Sequence, residues 1–186
     1  MKVLLKDVAE IRTGVFVKPN IKGEVVYLQL NDFDENGNHK GHWVSSVSEN
    51  DVNSKHYLCP GDVLFAAKGS KNFASVRVSK LPLAVASTSF FVIRIQKDEL
   101  LPEFLMWFLN QPETILLLKA EAKGTDIPSI SKKSLEQISI PVIPVTKQKL
   151  ILKIDQYRQK QKVILQKIAH LKDNLIQQQI LKTLNF

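Results

Sequence analysis

The chain has 186 residues, 44% hydrophobic and 24% charged, with Lys+Arg 26 against Asp+Glu 18 and a formal net charge of +8. That length and composition suit one folded domain with a real core plus a further segment. A single cysteine excludes an internal disulfide framework, and no apolar run reaches the length of a transmembrane helix.

The N-terminus, MKVLLKDVAEI, carries Asp7 and Glu10 and no signal-peptide cleavage pattern, so it reads as a mature, cytoplasmic start. Lys6 to Ile11 is predicted as a short helix ended by Thr13-Gly14, and Val25 to Leu30 as a strand. Asn31 to Asn38 is turn chemistry suited to a hairpin tip. Leu58 to Ala67 reads as a turn at Pro60-Gly61 followed by a strand, with Cys59 as a small buried hydrophobe. The polar loop Lys68 to Asn72 then joins that strand to another at Ala74 to Val78, and Ala84 to Ile95 forms a further strand. Pro102 opens a helix through Leu109, and Pro112 opens a second that runs to Lys123 and stops at Gly124. Ile138 to Val142 is a last short strand. Strands first and helices later predict an α+β fold for residues 1–145.

Residues 146–186 are different. They contain no Pro, Gly or Glu, and apolar residues recur three and four apart at Ile154, Tyr157, Ile164, Ile168, Leu171 and Leu175. That spacing predicts one long helix with a near-heptad seam. At 1.5 Å per residue it would reach roughly 55–60 Å. It would have to project and cover its stripe with another helix. This segment holds nine basic and two acidic residues, a net +7, while residues 1–145 hold 17 basic and 16 acidic ones and are nearly neutral. The charge suits a polyanion or an acidic protein; a solvated Lys-rich face without a partner is the bland alternative.

Catalytic patterns are weak. Asp62 with Glu121-Ala122-Lys123 imitates a nuclease metal site, but that chemistry needs the Glu and Lys on a strand, and here they end a predicted helix. His39-x-x-His42 has no converging cysteine or third histidine. No Gly-rich phosphate loop or S-adenosylmethionine motif is present, so the chain reads as non-enzymatic with no cofactor or metal of its own. Basic residues are segregated instead. Between Val63 and Lys97 lie Lys68, Lys71, Arg77, Lys80, Arg94 and Lys97 and no acid. In the loop Lys68-Gly69-Ser70-Lys71-Asn72, Lys can reach phosphate or guanine and Asn can pair with adenine. Arg77 is a second guanine candidate. Lys18, Asn20 and Lys22 form another polar loop, and Thr125 and Ser129 are candidate phosphate ligands. An ordinary solvated loop is the alternative at each.

The run Gly124-Thr125 … Ile130-Ser131 … Leu135 … Ile138-Ser139-Ile140-Pro141-Val142-Ile143-Pro144 leads directly into the long helix. It resembles the end of a target-recognition domain in DNA specificity subunits of type I restriction–modification systems. Pro60-Gly61-Asp62-Val63-Leu64-Phe65, Leu101-Pro102-Glu103-Phe104-Leu105 and the opening Leu5 to Gly14 fit the same pattern. The family's Glu-Gln pair at the helix start is Lys147-Gln148 here. The resemblance implies a recognition domain at 1–145 and a conserved helix at 146–186 for dimerisation and spacing, the helix forming a coiled coil. A full-length subunit carries two of each, so one of each implies a homodimer reading a bipartite inverted repeat on double-stranded DNA. It further implies docking to a modification methyltransferase subunit, which would bring S-adenosylmethionine, and through the complex to a restriction subunit. A reading from another class is a coiled-coil adaptor whose basic helix binds an acidic protein, without DNA specificity.

Overall fold

The computed structural model describes residues 2–19, 23–34, 36–41, 44–69, 71–77, 82–120 and 129–184. The chain divides into two units, Met1–Val145 and Thr146–Phe186. In chain order the first carries strands β1 (Lys2–Leu4), β2 (Ala9–Thr13), β3 (Val25–Leu28), β4 (Ser45–Val47), β5 (Val63–Ala66), β6 (Ala74–Val76), β7 (Ala84–Ala86) and β8 (Phe90–Ile95). Helices α1 (Pro102–Leu109), α2 (Pro112–Ala120) and α3 (Lys132–Gln137) follow, then strand β9 (Ser139–Pro141). A four-stranded antiparallel sheet has the order β2-β8-β5-β6. A three-stranded sheet, β4-β3-β7, contains a parallel pairing of β3 with β7. Strands β1 and β9 pair with each other. The class is α+β, as the sequence predicts.

Strand β3 separates two cores. Its residues Val25 to Leu28 are all buried, and side chains alternate between faces with period two. Val26 and Leu28 enter one cluster with Phe33, Leu58, Leu64, Phe73 and Phe90. Val25 and Tyr27 enter another with Val17, Val47, Val52 and Val85. A run buried on both faces therefore reads as continuous rather than alternating hydrophobicity. Phe33, Phe73 and Phe90 form the aromatic centre of the first cluster, with ring centroids 5.5–6.1 Å apart.

Several predicted elements change. Lys6 to Ile11 is not a helix: one 3-10 turn, Leu5–Asp7, precedes β2. Ala9 and Ile11 are buried in strand alternation and pair with β8, and only the Leu5/Val8 spacing imitates a helix. The stretch Ala84 to Ile95 is two strands in different sheets, parted by a turn in which Phe90 N–H donates to the Ser87 carbonyl at 3.0 Å. Cys59 is exposed, not buried. Leu58 takes the core position, and Cys59 starts a tight turn in which Asp62 N–H donates back to its carbonyl at 3.0 Å. Pro60 and Gly61, the latter at φ +86°, occupy the central positions that such a turn requires. Asn31 to Asn38 does form a tip, closed by a bridge between Phe33 and His39. Strands β1 and β4 and helix α3 add to the predicted elements; Ser131 caps α3, its Oγ accepting from Ser134 N–H at 3.0 Å.

The turn at Asp62 is held by charge. Arg94 on β8 grips Asp62 with two bonds, Nε to Oδ1 at 2.8 Å and Nη2 to Oδ2 at 2.7 Å, and also donates to the Tyr57 carbonyl at 3.1 Å. Cys59 N–H adds a bond to Oδ2 at 2.7 Å. Asp62 is 1% exposed, so its charge is tolerable only because it is paired and bonded. The hydrogen bond to Asp62 holds the guanidinium pKa well above its usual value, against the effect of burial.

The second unit is one helix, α4, assigned over Val145–Thr183. Ile154, Tyr157, Ile164, Ile168, Leu171 and Leu175 are all exposed, as are Leu165, Ile176 and Ile180 on an adjoining line of the same helix. Arg158 pairs with Asp155 at 2.7 Å. Lys153 and Lys160 lie 6.0 and 5.9 Å from the Tyr157 ring, one turn to either side. Among the described residues no helix is long and apolar enough to cross a membrane.

Replacing Arg94 with Met should leave Asp62 buried without its counter-charge. Urea unfolding should then show a loss of about 3 kcal/mol; an unchanged midpoint would mean that the pair adds nothing to stability.

Candidate nucleic-acid interface

Register decides which loops meet. Thr13 of β2 and Phe65 of β5 both oppose Phe91, on the two sides of β8. The segment leaving β2 and the loop leaving β5 therefore emerge at the same end of the four-stranded sheet, where β8 begins. Backbone bonds fasten them there. Gly14 N–H donates to the Phe90 carbonyl at 3.0 Å and Val15 N–H to Ala86 at 2.8 Å; on the other side Ala67 N–H donates to Ser89 at 3.0 Å. Gly14 is close enough to Ser87 that an added Cβ would lie 2.1 Å from its carbonyl oxygen, so only glycine fits. Ile130 N–H donates to the Ala67 carbonyl at 3.0 Å, which brings the Ser129–Ser131 segment to the same end.

This arrangement joins several predicted residues. Lys18 is exposed on the segment after β2, Lys68 and Lys71 are exposed on the β5–β6 loop, and Ser129 is exposed beside Ile130. Asn20, Lys22, Ser70 and Thr125 lie outside the described residues. Asn72 is half-buried, and its side-chain amide donates to the Ala66 carbonyl at 2.9 Å, which holds the loop in shape. Arg77 stands apart. Its backbone pairs with Gly61 and Asp62 at the far end of β5, and its half-buried guanidinium reaches the Pro82 carbonyl at 3.5 Å.

Acids near the basic loops are engaged locally. Leu30, which opens the 3-10 turn Leu30–Asp32, lies against Gly69 of the basic loop. Within that turn Asp32 Oδ2 accepts from Gln29 N–H at 2.7 Å, and in the following tip Asp34 Oδ1 accepts from Asn36 and Asn38 N–H at 2.8 Å each. The candidate catalytic groups do not assemble among the described residues. Asp62 is held by Arg94, and Glu121, Lys123 and His42 lie outside them. His39 Nδ1 accepts from Gly41 N–H at 2.9 Å, with its ring edge-on to Phe33.

A second basic group, missed in the sequence because its members are far apart in it, consists of Arg12, Lys55 and His56, which line one crevice. Arg12 donates to the Lys55 carbonyl and pairs with Glu10 at 2.9 Å. Burial, then Lys55 and Arg12, hold the His56 pKa below its ordinary 6.5. In the unfolded chain His56 takes up its proton near 6.5, while the folded chain resists until lower pH. Its effect on stability is absent above that pH and destabilising below it. His56→Gln should therefore leave the unfolding midpoint unchanged at pH 7.5 and make it less acid-sensitive below pH 6.5; identical acid profiles would remove the assignment.

The model of the type I restriction modification DNA specificity domain matches residues 1–185. Among solved structures, a chain from work on complex assembly and conformational transition of the type I R-M system aligns at TM-score 0.65 and 20% identity, over 88% of this chain and 39% of that one. The HsdS subunit from Thermoanaerobacter tengcongensis aligns at TM-score 0.63 and 23% identity, over 86% and 37%. A type I restriction-modification S subunit from M. genitalium aligns at 0.55 and 19%, over 83% and 37%. The chain thus spans about two fifths of the length of the solved chains it matches. No curated protein matches it.

Proposed function

The chain belongs to the type I restriction modification DNA specificity domain family, and from that premise we propose that it is a sequence-specific, non-catalytic DNA-recognition subunit. What supports the reading within the structure is that the segment leading to exposed Lys18 and the loop with exposed Lys68 and Lys71 leave β2 and β5 at one end of the β2-β8-β5-β6 sheet. Lysines there neutralise phosphates and fix register on the duplex, while neighbouring loop groups read base edges. Asn72 acts in this scheme by shaping the loop. Asn20, Lys22, Ser70 and Thr125 remain candidate contacts by their chemistry, and Arg77, at the opposite end of β5, would need a separate stretch of the duplex.

The helix supplies the second half of the proposal. Two copies pair through Ile154, Tyr157, Ile164, Ile168, Leu171 and Leu175, antiparallel as a coiled coil, and set two recognition domains at a fixed separation. A two-fold dimer reads an inverted repeat. The support is a seam of exposed apolar side chains on α4 that would gain by burial. The assembly acts in the cytoplasm and directs a methyltransferase subunit carrying S-adenosylmethionine, and through it a restriction subunit, to the site. The excess of basic residues on the helix also suits an adaptor for an acidic protein. Sequence preference separates the two, because a recognition subunit discriminates its site from other duplexes and a basic helix that binds an acidic protein does not.

Replacing Lys68 and Lys71 together with Ala should weaken duplex binding and flatten the slope of log affinity against log salt by about 2, measured by fluorescence anisotropy; an unchanged slope would move the phosphate contacts elsewhere. Separately, replacing Ile164 and Ile168 with Asp should halve the mass seen by sedimentation, and a wild-type chain already monomeric at micromolar concentration would defeat the dimer.

A further inference from the structure

Phe16 is 77% exposed, the most exposed of the large hydrophobic side chains described. Its neighbours explain why it cannot turn inward. Val15 is fixed on both sides: its N–H donates to the Ala86 carbonyl at 2.8 Å, and its own carbonyl accepts from the Tyr27 hydroxyl at 2.9 Å. Val17 is buried in the second core with Val25, Tyr27 and Val85. In an extended segment alternate side chains face opposite ways. With Val17 held inside and Val15 packed against the same cluster, Phe16 is held outside. A slip of one residue would bury Phe16 but would break both bonds at Val15 and expel Val17. The ring is therefore displayed on an anchored backbone, two residues from exposed Lys18 and at the sheet end where Lys68 and Lys71 emerge.

A single exposed aromatic beside cations has a specific use on a duplex. Apolar wedges such as Phe enter between base pairs, unstack one step and kink the helix, while nearby cations hold the phosphates. We propose that Phe16 is such a wedge: it enters one base step of the duplex bound at this end of the sheet, with Lys18 on the adjoining phosphates. This rests on the DNA-recognition reading above. Rigid display lowers the ordering cost of insertion, because the backbone around Phe16 is already fixed. The step entered should be pyrimidine–purine, since TA and CA steps unstack most readily. Specificity at that step then comes from deformability and needs no hydrogen bond to a base.

The test uses the full chain and a duplex enriched by it from a random pool, labelled with 2-aminopurine at successive positions and with a donor–acceptor pair at its ends. Wild-type protein should raise 2-aminopurine fluorescence at one step and shorten the end-to-end distance. Phe16→Ala should bind roughly tenfold or more weakly and lose both signals, with an unchanged melting temperature. Phe16→Leu, which keeps a wedge, should retain most of each. If Phe16→Ala keeps affinity, unstacking and bend while the Lys68/Lys71 variant loses affinity, the wedge is wrong and DNA recognition stands. If the wild-type chain enriches no duplex even with its methyltransferase partner present, both fall together.

Discussion

The contact between Arg94 and Asp62 anchors one end of the β5–β8 pairing, from which the loops of the first unit take their places. It joins β8 to the turn that starts β5, at one end of their pairing. A carboxylate 1% exposed is costly to leave unpaired, so arrangements that separate it from Arg94 are penalised. With that end fixed, the ladder from Val63↔Ile93 to Ala66↔Phe90 runs in a single register. The loops at its other end inherit their positions from it. Lys68 and Lys71 follow Ala66, and the segment with Phe16 and Lys18 follows Thr13 across the same strand. The sheet register thus sets Thr13 and Phe65, far apart in the chain, on the two sides of one residue, Phe91.

The long helix obeys a separate constraint. Most of its exposed apolar residues run along α4 in two adjoining lines, with Val163 and Leu181 on another face. Leaving that much hydrocarbon in water is unfavourable by about 25 cal/mol per Å², and a partner surface relieves it. Charge then selects the partner. Nine basic residues against two acidic ones oppose pairing of like helices. A dimer must therefore be driven by its seam, with salt or a polyanion screening the flanks.

The sequence revealed what is local. The long helix was legible in its period and in its lack of Pro and Gly. Strand β5, α1 and the Pro60-Gly61 turn were legible because each carries its own punctuation. The family was legible in the order of short motifs along the whole chain. What depended on tertiary pairing was not. Ala9 to Thr13 became a strand because β8 offers it an edge, and a local Leu5/Val8 spacing concealed this. The split of Ala84 to Ile95 follows from two sheets competing for one apolar run. Strand β1 exists through its pairing with β9, more than a hundred residues away. At the candidate interface, basic residues were visible as composition, but composition could not separate Arg77, at the far end of β5, from Lys68 and Lys71. Nor could it show Phe16, whose exposure is set by the anchoring of Val15 and Val17.

The decisive measurement is selection of bound sequences from a random duplex pool at moderate salt, with a type I modification methyltransferase subunit present. A dimeric reader should enrich an inverted repeat of two short half-sites separated by a fixed gap, about one to one-and-a-half helical turns centre to centre. Failure to enrich any sequence would contradict sequence-specific recognition by this chain.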